Sequence, residues 1–127
     1  MNTEKVVFAF AIILALTLNF GFFLGDIDNP AHHNPYELYA AIFVNAVATI
    51  LKFGDRSHMG AVLLASSLVA DIQLVLAASF WGYANYVTEL GLEPSTMASI
   101  VSLAGGALIA NMISVALLAM ETVMLRR

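Results

Sequence analysis

The 127 residues include no cysteine, which excludes disulfides, thiolate metal sites and a cysteine nucleophile. Charge is scarce too, at 11% of residues against ~25% in ordinary soluble domains. Only five residues are Lys or Arg, too few for a basic surface that would hold nucleic acid. The sequence has no phosphate-cradling glycine loop, zincin helix, nucleophile elbow or dinucleotide fingerprint. In their place, 61% of residues are hydrophobic. A chain of this length and composition reads as one membrane domain over residues 1–127.

Four apolar stretches carry this reading, approximately 6–24, 36–53, 59–83 and 97–120. At ~1.5 Å per residue, a helix of ~20 residues matches the ~30 Å hydrocarbon core. The second stretch is the shortest and needs its aromatic ends to sit in the interface. Pro30, Pro35, Gly54, Gly91 and Pro94 punctuate the connections, and Ser95 or Thr96 is placed to N-cap the fourth helix. Although Lys5 precedes the first stretch as in a signal peptide, Asn19-Phe-Gly-Phe-Phe-Leu-Gly25 follows it instead of a small-residue cleavage site. The expected fold is therefore all-α: four transmembrane helices in a compact up-down bundle.

The basic residues give the orientation. Lys5, Lys52, Arg56, Arg126 and Arg127 fall at the N-terminus, the second connection and the C-terminus. With four spans these three places share one side, so the positive-inside rule puts both termini in the cytoplasm. Asp26, Asp28, Glu37, Glu89 and Glu93 fall on the opposite side, where Phe20, Phe22, Phe23, Tyr36, Tyr39, Trp81, Tyr83 and Tyr86 form an aromatic belt.

This topology places three polar side chains at nearly one depth. Asp71 is the middle residue of the third stretch, while Asn45 and Asn111 lie at or within about two residues (~3 Å) of the middle of theirs. Asn19 sits ~6 Å nearer the outer face. A carboxylate at this depth costs ~2.5–3.5 kcal/mol on insertion scales. Lys52, the nearest basic residue by depth, lies ~10 Å below the centre of its helix. Asp71 must then be protonated, hydrogen-bonded, hydrated, or paired with a cation or another subunit. Asn45 and Asn111 read either as neutral oxygen donors to the same ion or as hydrogen-bond glue between helices. Small residues share their faces: Ala41 and Ala48 on the second helix, Ala104 and Ala107 on the fourth, and Ala11 and Ala15 on the first with Asn19. Gly21-x-x-x-Gly25 in the first stretch and Gly105-Gly106 in the fourth offer close helix approach.

Asp26, Asp28, His32, His33 and Glu37 of the outer loop have the chemistry of metal ligands. Adjacent histidines in a proline-bounded loop converge poorly, so an interfacial turn shaped by Asp28 or Asn29 is the expectation, with no metal and no cofactor. The inner loop, Lys52 to His58, reads as a tight hairpin anchored to headgroups by its charges. No histidine lies within a span to serve as a second catalytic group beside Asp71, so enzyme chemistry is not expected.

Leu18-Asn-Phe-Gly-Phe-Phe-Leu-Gly-Asp-Ile-Asp-Asn-Pro30, Leu51-Lys-Phe-Gly-Asp-Arg56 and Met97-Ala-Ser-Ile-Val-Ser-Leu-Ala-Gly-Gly106 resemble a family of small bacterial inner-membrane proteins catalogued as a domain of unknown function. The resemblance implies a multi-pass protein of the bacterial inner membrane and supplies no activity to carry over. The residues themselves suggest a small homo-oligomer in the lipid bilayer, handling a cation or proton through Asp71, Asn45 and Asn111 as a channel or transporter would. The alternative is a non-conducting accessory subunit of a larger membrane complex.

Overall fold

The computed structural model describes residues 3–125, which form four helices and one short 3-10 turn. They are α1 (Thr3–Phe23), α2 (Pro35–Lys52), α3 (His58–Tyr86) and α4 (Pro94–Leu125), with the 3-10 turn at Pro30–His32. Among the described residues there is no strand. The principal contacts join α1 to α2, α2 to α3, α3 to α4 and α4 back to α1, the circuit of a four-helix bundle. Three helices, α1, α3 and α4, are long and apolar enough to cross a membrane. α2 is not one of them: it has 18 residues, with Glu37 in its first turn and Lys52 in its last.

The helix starts follow local side-chain chemistry. Asn34 caps α2 by accepting from the Tyr36 N–H at 2.8 Å, and Pro35 follows it as the first helical residue. Ser57 caps α3 by accepting from the Gly60 N–H at 2.9 Å. α4 departs from expectation. It begins at Pro94, with the Met97 N–H already bonded to the Glu93 carbonyl, so Ser95 and Thr96 lie inside its first turn instead of capping it. Proline at that position forfeits only an N–H that a helix start leaves unpaired.

Burial on each helix follows a spacing of three and four residues: Phe8, Ala11, Ile12, Ala15, Asn19 and Phe22 on α1, and Gly60, Leu63, Ser67, Ala70, Leu74, Ala77, Trp81 and Ala84 on α3. These stripes are rich in small and polar residues, whereas Phe10, Phe43, Ile50, Ile72 and Ile109 point outward. A soluble bundle arranges these classes the other way round. Large apolar side chains outside and small or polar ones inside suit a bundle that packs in lipid, where close backbone approach and interhelical hydrogen bonds replace hydrophobic burial.

The glycines serve this packing unequally. A Cβ on Gly21 would collide with the Glu37 carboxylate of α2, one on Gly105 would stand 2.8 Å from the Phe23 ring of α1, and one on Gly106 would stand 2.6 Å from Gln73 of α3. Gly25 is different from the packing position expected of it. It lies beyond the end of α1 at φ +100°, a left-handed turn that reverses the chain and brings His32 so close that a Cβ would meet it at 2.5 Å.

The apolar core has two parts. One gathers Phe22, Leu38, Leu74, Trp81, Met97 and Ile100 at the end carrying the α1–α2 connection. The other gathers Phe8, Ile12, Ala48 and Leu63 at the end carrying the α2–α3 connection. Between them, in the order of residues along each helix, come Asn45 on α2, Ser67 on α3, and Asn111 and Ser114 on α4, with Thr49 and Asp71 next to Ala48 and Ala70 at the edges of the two parts.

Candidate functional site

The polar belt is assembled from three helices whose small residues let their backbones approach. Asn45, Ser67, Asn111 and Ser114 are fully buried, and Thr49 is 3% exposed. Asp71 is only half-buried. Its position explains why: the buried seam of α3 runs through Ala70 and Leu74, so Asp71 projects from one flank toward α2 and Gln73 from the other toward Gly106 of α4.

Asp71 Oδ2 lies 2.5 Å from Thr49 Oγ1, a hydrogen bond that ties α3 to α2. Thr49 Oγ1 also lies 2.9 Å from the Asn45 carbonyl oxygen, one turn back along its own helix. Asp71 Oδ1 is buried without a hydrogen-bond partner, as are both amide atoms of Asn45, Ser67 Oγ, Gln73 Oε1 and Asn111 Oδ1. Among the described residues, no basic side chain pairs with Asp71. Neither asparagine that was expected to share a ligand with Asp71 hydrogen-bonds to it; Thr49 does. Each unpartnered polar atom costs about 1–3 kcal/mol, so the belt is expensive to keep. Alongside it, the Ser66 and Ser114 hydroxyls meet at 2.5 Å and link α3 to α4.

Asn19 lies outside this cluster. With its amide oriented to suit its neighbours, it donates to the Ala104 carbonyl and accepts from the Leu108 N–H, each at 3.0 Å. These two groups are partners of one helical turn, so Asn19 clamps α1 onto the backbone of α4 beside Gly105 and Gly106. Asn19→Leu should cost about 1–3 kcal/mol, because apolar bulk replaces both bonds at a fully buried position. Unfolding in mixed detergent measures it; an unchanged midpoint would remove the clamp.

At the opposite end from the α1–α2 connection, a cavity of about 590 Å³ is lined by Glu4, Lys5, Phe8, Lys52, Gly54 and Asp55, among others. Lys52 was expected to reach headgroups. Instead it is 8% exposed, with its ammonium 4.3 Å from the centre of the Phe8 ring and 3.5 Å from Asp55 Oδ2. Asp55 also accepts from the Ser57 hydroxyl at 2.7 Å and the Ser57 N–H at 3.0 Å. The Ser57 hydroxyl, then its N–H, hold the Asp55 carboxyl below the usual carboxylate range. A carboxyl lowered by folding adds stability that is complete above its ordinary titration range and lost as pH falls through the lowered value. Asp55→Asn should therefore flatten the acid limb of a stability-against-pH curve in detergent, and an unaltered limb would place that proton uptake elsewhere.

The connection between α1 and α2 is held by hydrogen bonds within the chain. His33 is 2% exposed, with Nδ1 2.6 Å from the Phe22 carbonyl and Nε2 2.8 Å from the Asp26 carbonyl. His32 Nδ1 accepts from the Asp26 N–H at 2.9 Å, and Asn29 Oδ1 accepts from the Ala31 N–H at 3.0 Å. Among the described residues, no group of three or more His, Asp or Glu side chains converges in a way that could hold a metal ion. The loop is thus a folded turn, with Asn29 as the residue that shapes it.

No curated protein and no solved structure matches this chain. A family model does, over residues 32–122, which takes in α2, α3 and nearly all of α4 together with Thr49, Asp71 and both asparagines of the belt. The chain belongs to a family of unknown function, DUF6394.

Proposed function

We propose that this chain is a multi-pass protein of the bacterial inner membrane that handles a cation or a proton at mid-membrane through Asp71. The observation that carries the reading is a half-buried carboxylate, set at the middle of an apolar helix, with Thr49 on one oxygen and no partner on the other. Intramembrane carboxylates in such settings mark ion and proton paths. Asn45 and Asn111, buried in the same belt with amide atoms unpartnered, supply neutral oxygens at a comparable depth.

In this reading α2 completes a fourth span. It packs between α1 and α3 and carries Asn45 and Thr49 on its buried face. Glu37 and Lys52 then mark its two interfaces, and the basic residues put both termini in the cytoplasm. Four helices of this size enclose little volume, so the protein works as a homo-oligomer. It catalyses no covalent chemistry.

A second reading follows from the partial exposure of Asp71. A carboxyl on the bundle's flank suits docking to a larger membrane complex as well as ion passage. Reconstitution in liposomes separates the two. A conductor shows cation or proton flux that depends on Asp71. An accessory subunit shows none and instead co-purifies with a partner that Asp71→Asn releases.

A further inference from the structure

The hydrogen count at Thr49 bears on which ion Asp71 holds. Thr49 Oγ1 faces two acceptors, Asp71 Oδ2 at 2.5 Å and the Asn45 carbonyl at 2.9 Å, and a hydroxyl has one hydrogen to give. Both contacts are hydrogen bonds at once when Asp71 carries a hydrogen of its own. The acid then donates to Thr49 Oγ1, and Thr49 donates to the Asn45 carbonyl. A multivalent metal ion has no such fit: among the described residues there is no group of three or more His, Asp or Glu side chains that could hold one.

The polar face of α2 continues from this pair toward the cavity at the inner-loop end. Lys52 lies three residues beyond Thr49, or ~4.5 Å along the helix, is buried on the same face, and lines the cavity with Phe8 and Asp55. The Lys52 ammonium, 3.5 Å from Asp55 Oδ2, keeps the mouth of this cavity polar within about one helical turn of Thr49. The other charged or titratable groups of the packed helices, tyrosines aside, are Glu4 and Lys5 of α1, which line the cavity, Glu37 in the first turn of α2 at its far end, His58 at the start of α3, and Glu121 near the end of α4.

We propose that the ion at Asp71 is a proton, loaded from the Lys52-lined cavity with Thr49 as the relay. This rests on the reading of Asp71 as the ion-handling group. In the loading step the Thr49 O–H bond breaks and its hydrogen bonds to Asp71 Oδ2. The Thr49 oxygen takes a replacement proton from hydronium admitted at the cavity, leaving water. Release reverses each transfer.

Infrared spectroscopy of oriented proteoliposomes tests the proposal apart from flux. Gly54→Cys, in an otherwise cysteine-free chain and at an open loop position, reports through an impermeant thiol reagent which face carries the Lys52 end. A carboxylic acid carbonyl band that disappears in Asp71→Asn should follow the pH on that face alone. Thr49→Val should slow its response about a hundredfold, the low end of losses for a proton-transferring group, and Thr49→Ser should restore it. A band that follows the opposite face, an equal response in Thr49→Val, or no such band at any pH overturns the proposal. Sided titration without flux leaves the loading route standing and removes the transport reading. Flux with titration from the opposite face does the reverse.

Discussion

Asp71→Asn is expected to abolish most ion movement through the reconstituted protein, by about two orders of magnitude, while leaving the bundle folded. The size follows from the usual worth of a positioned proton-transferring side chain. The amide matches the carboxyl in shape and can still meet the Thr49 hydroxyl, but it neither takes up a proton nor carries a charge. Stability should hold or rise, because an aspartate at mid-span is a burden of ~2.5–3.5 kcal/mol on insertion scales. Paired flux and detergent-unfolding measurements check both halves. A variant that loses flux because it unfolds would show a lowered midpoint, and that outcome would make Asp71 a structural residue.

The second large effect belongs to His33. Its two ring nitrogens face two carbonyl oxygens, at Phe22 and Asp26. The Phe22 carbonyl is among the last four of α1, which the helix itself leaves unpaired. The ring donates to one of them and lies against the other, closing α1 from eleven residues away and pinning the turn at Gly25. It also packs at a tilt against Phe22, which in turn meets Trp81 of α3. His33→Ala should cost about 2–4 kcal/mol, from the lost hydrogen bond, the carbonyls left buried behind it and the lost ring packing on Phe22. Unfolding in mixed detergent measures this, with protease sensitivity of residues 24–33 as a local check. A full-stability, protease-resistant His33→Ala protein would show that the clip holds nothing.

The helices and their buried faces were legible because both follow from periodicity. The alanines and asparagines that share a face by sequence spacing share the buried stripe. Hydrogen-bond partners were not legible at the same level. Whether Asp71 meets Asn45 or Thr49 depends on the relative height and rotation of α2 and α3, and neighbouring residues on a helix differ by about 100° in direction. The one available signal for Thr49 was its position a turn from Asn45 on the buried face. Lys52 was misread for a related reason. Its place at the end of α2 suggested headgroups, but its side chain bends under Phe8 and Asp55, a contact made by α1 and by the loop. Gly25 and His33 depend on the same kind of long-range information. A glycine four residues after another looks like a packing motif until the helix is seen to end between them.

Asp71 is proposed to take up and release a proton inside the membrane. The most direct measurement is flux in proteoliposomes holding wild type or Asp71→Asn, with proton, sodium and potassium gradients imposed in turn. Uptake driven by the proton gradient is expected in wild type, and near-background uptake in the variant. Equal rates for the two proteins under every gradient, or no rate above empty liposomes for wild type, would contradict it.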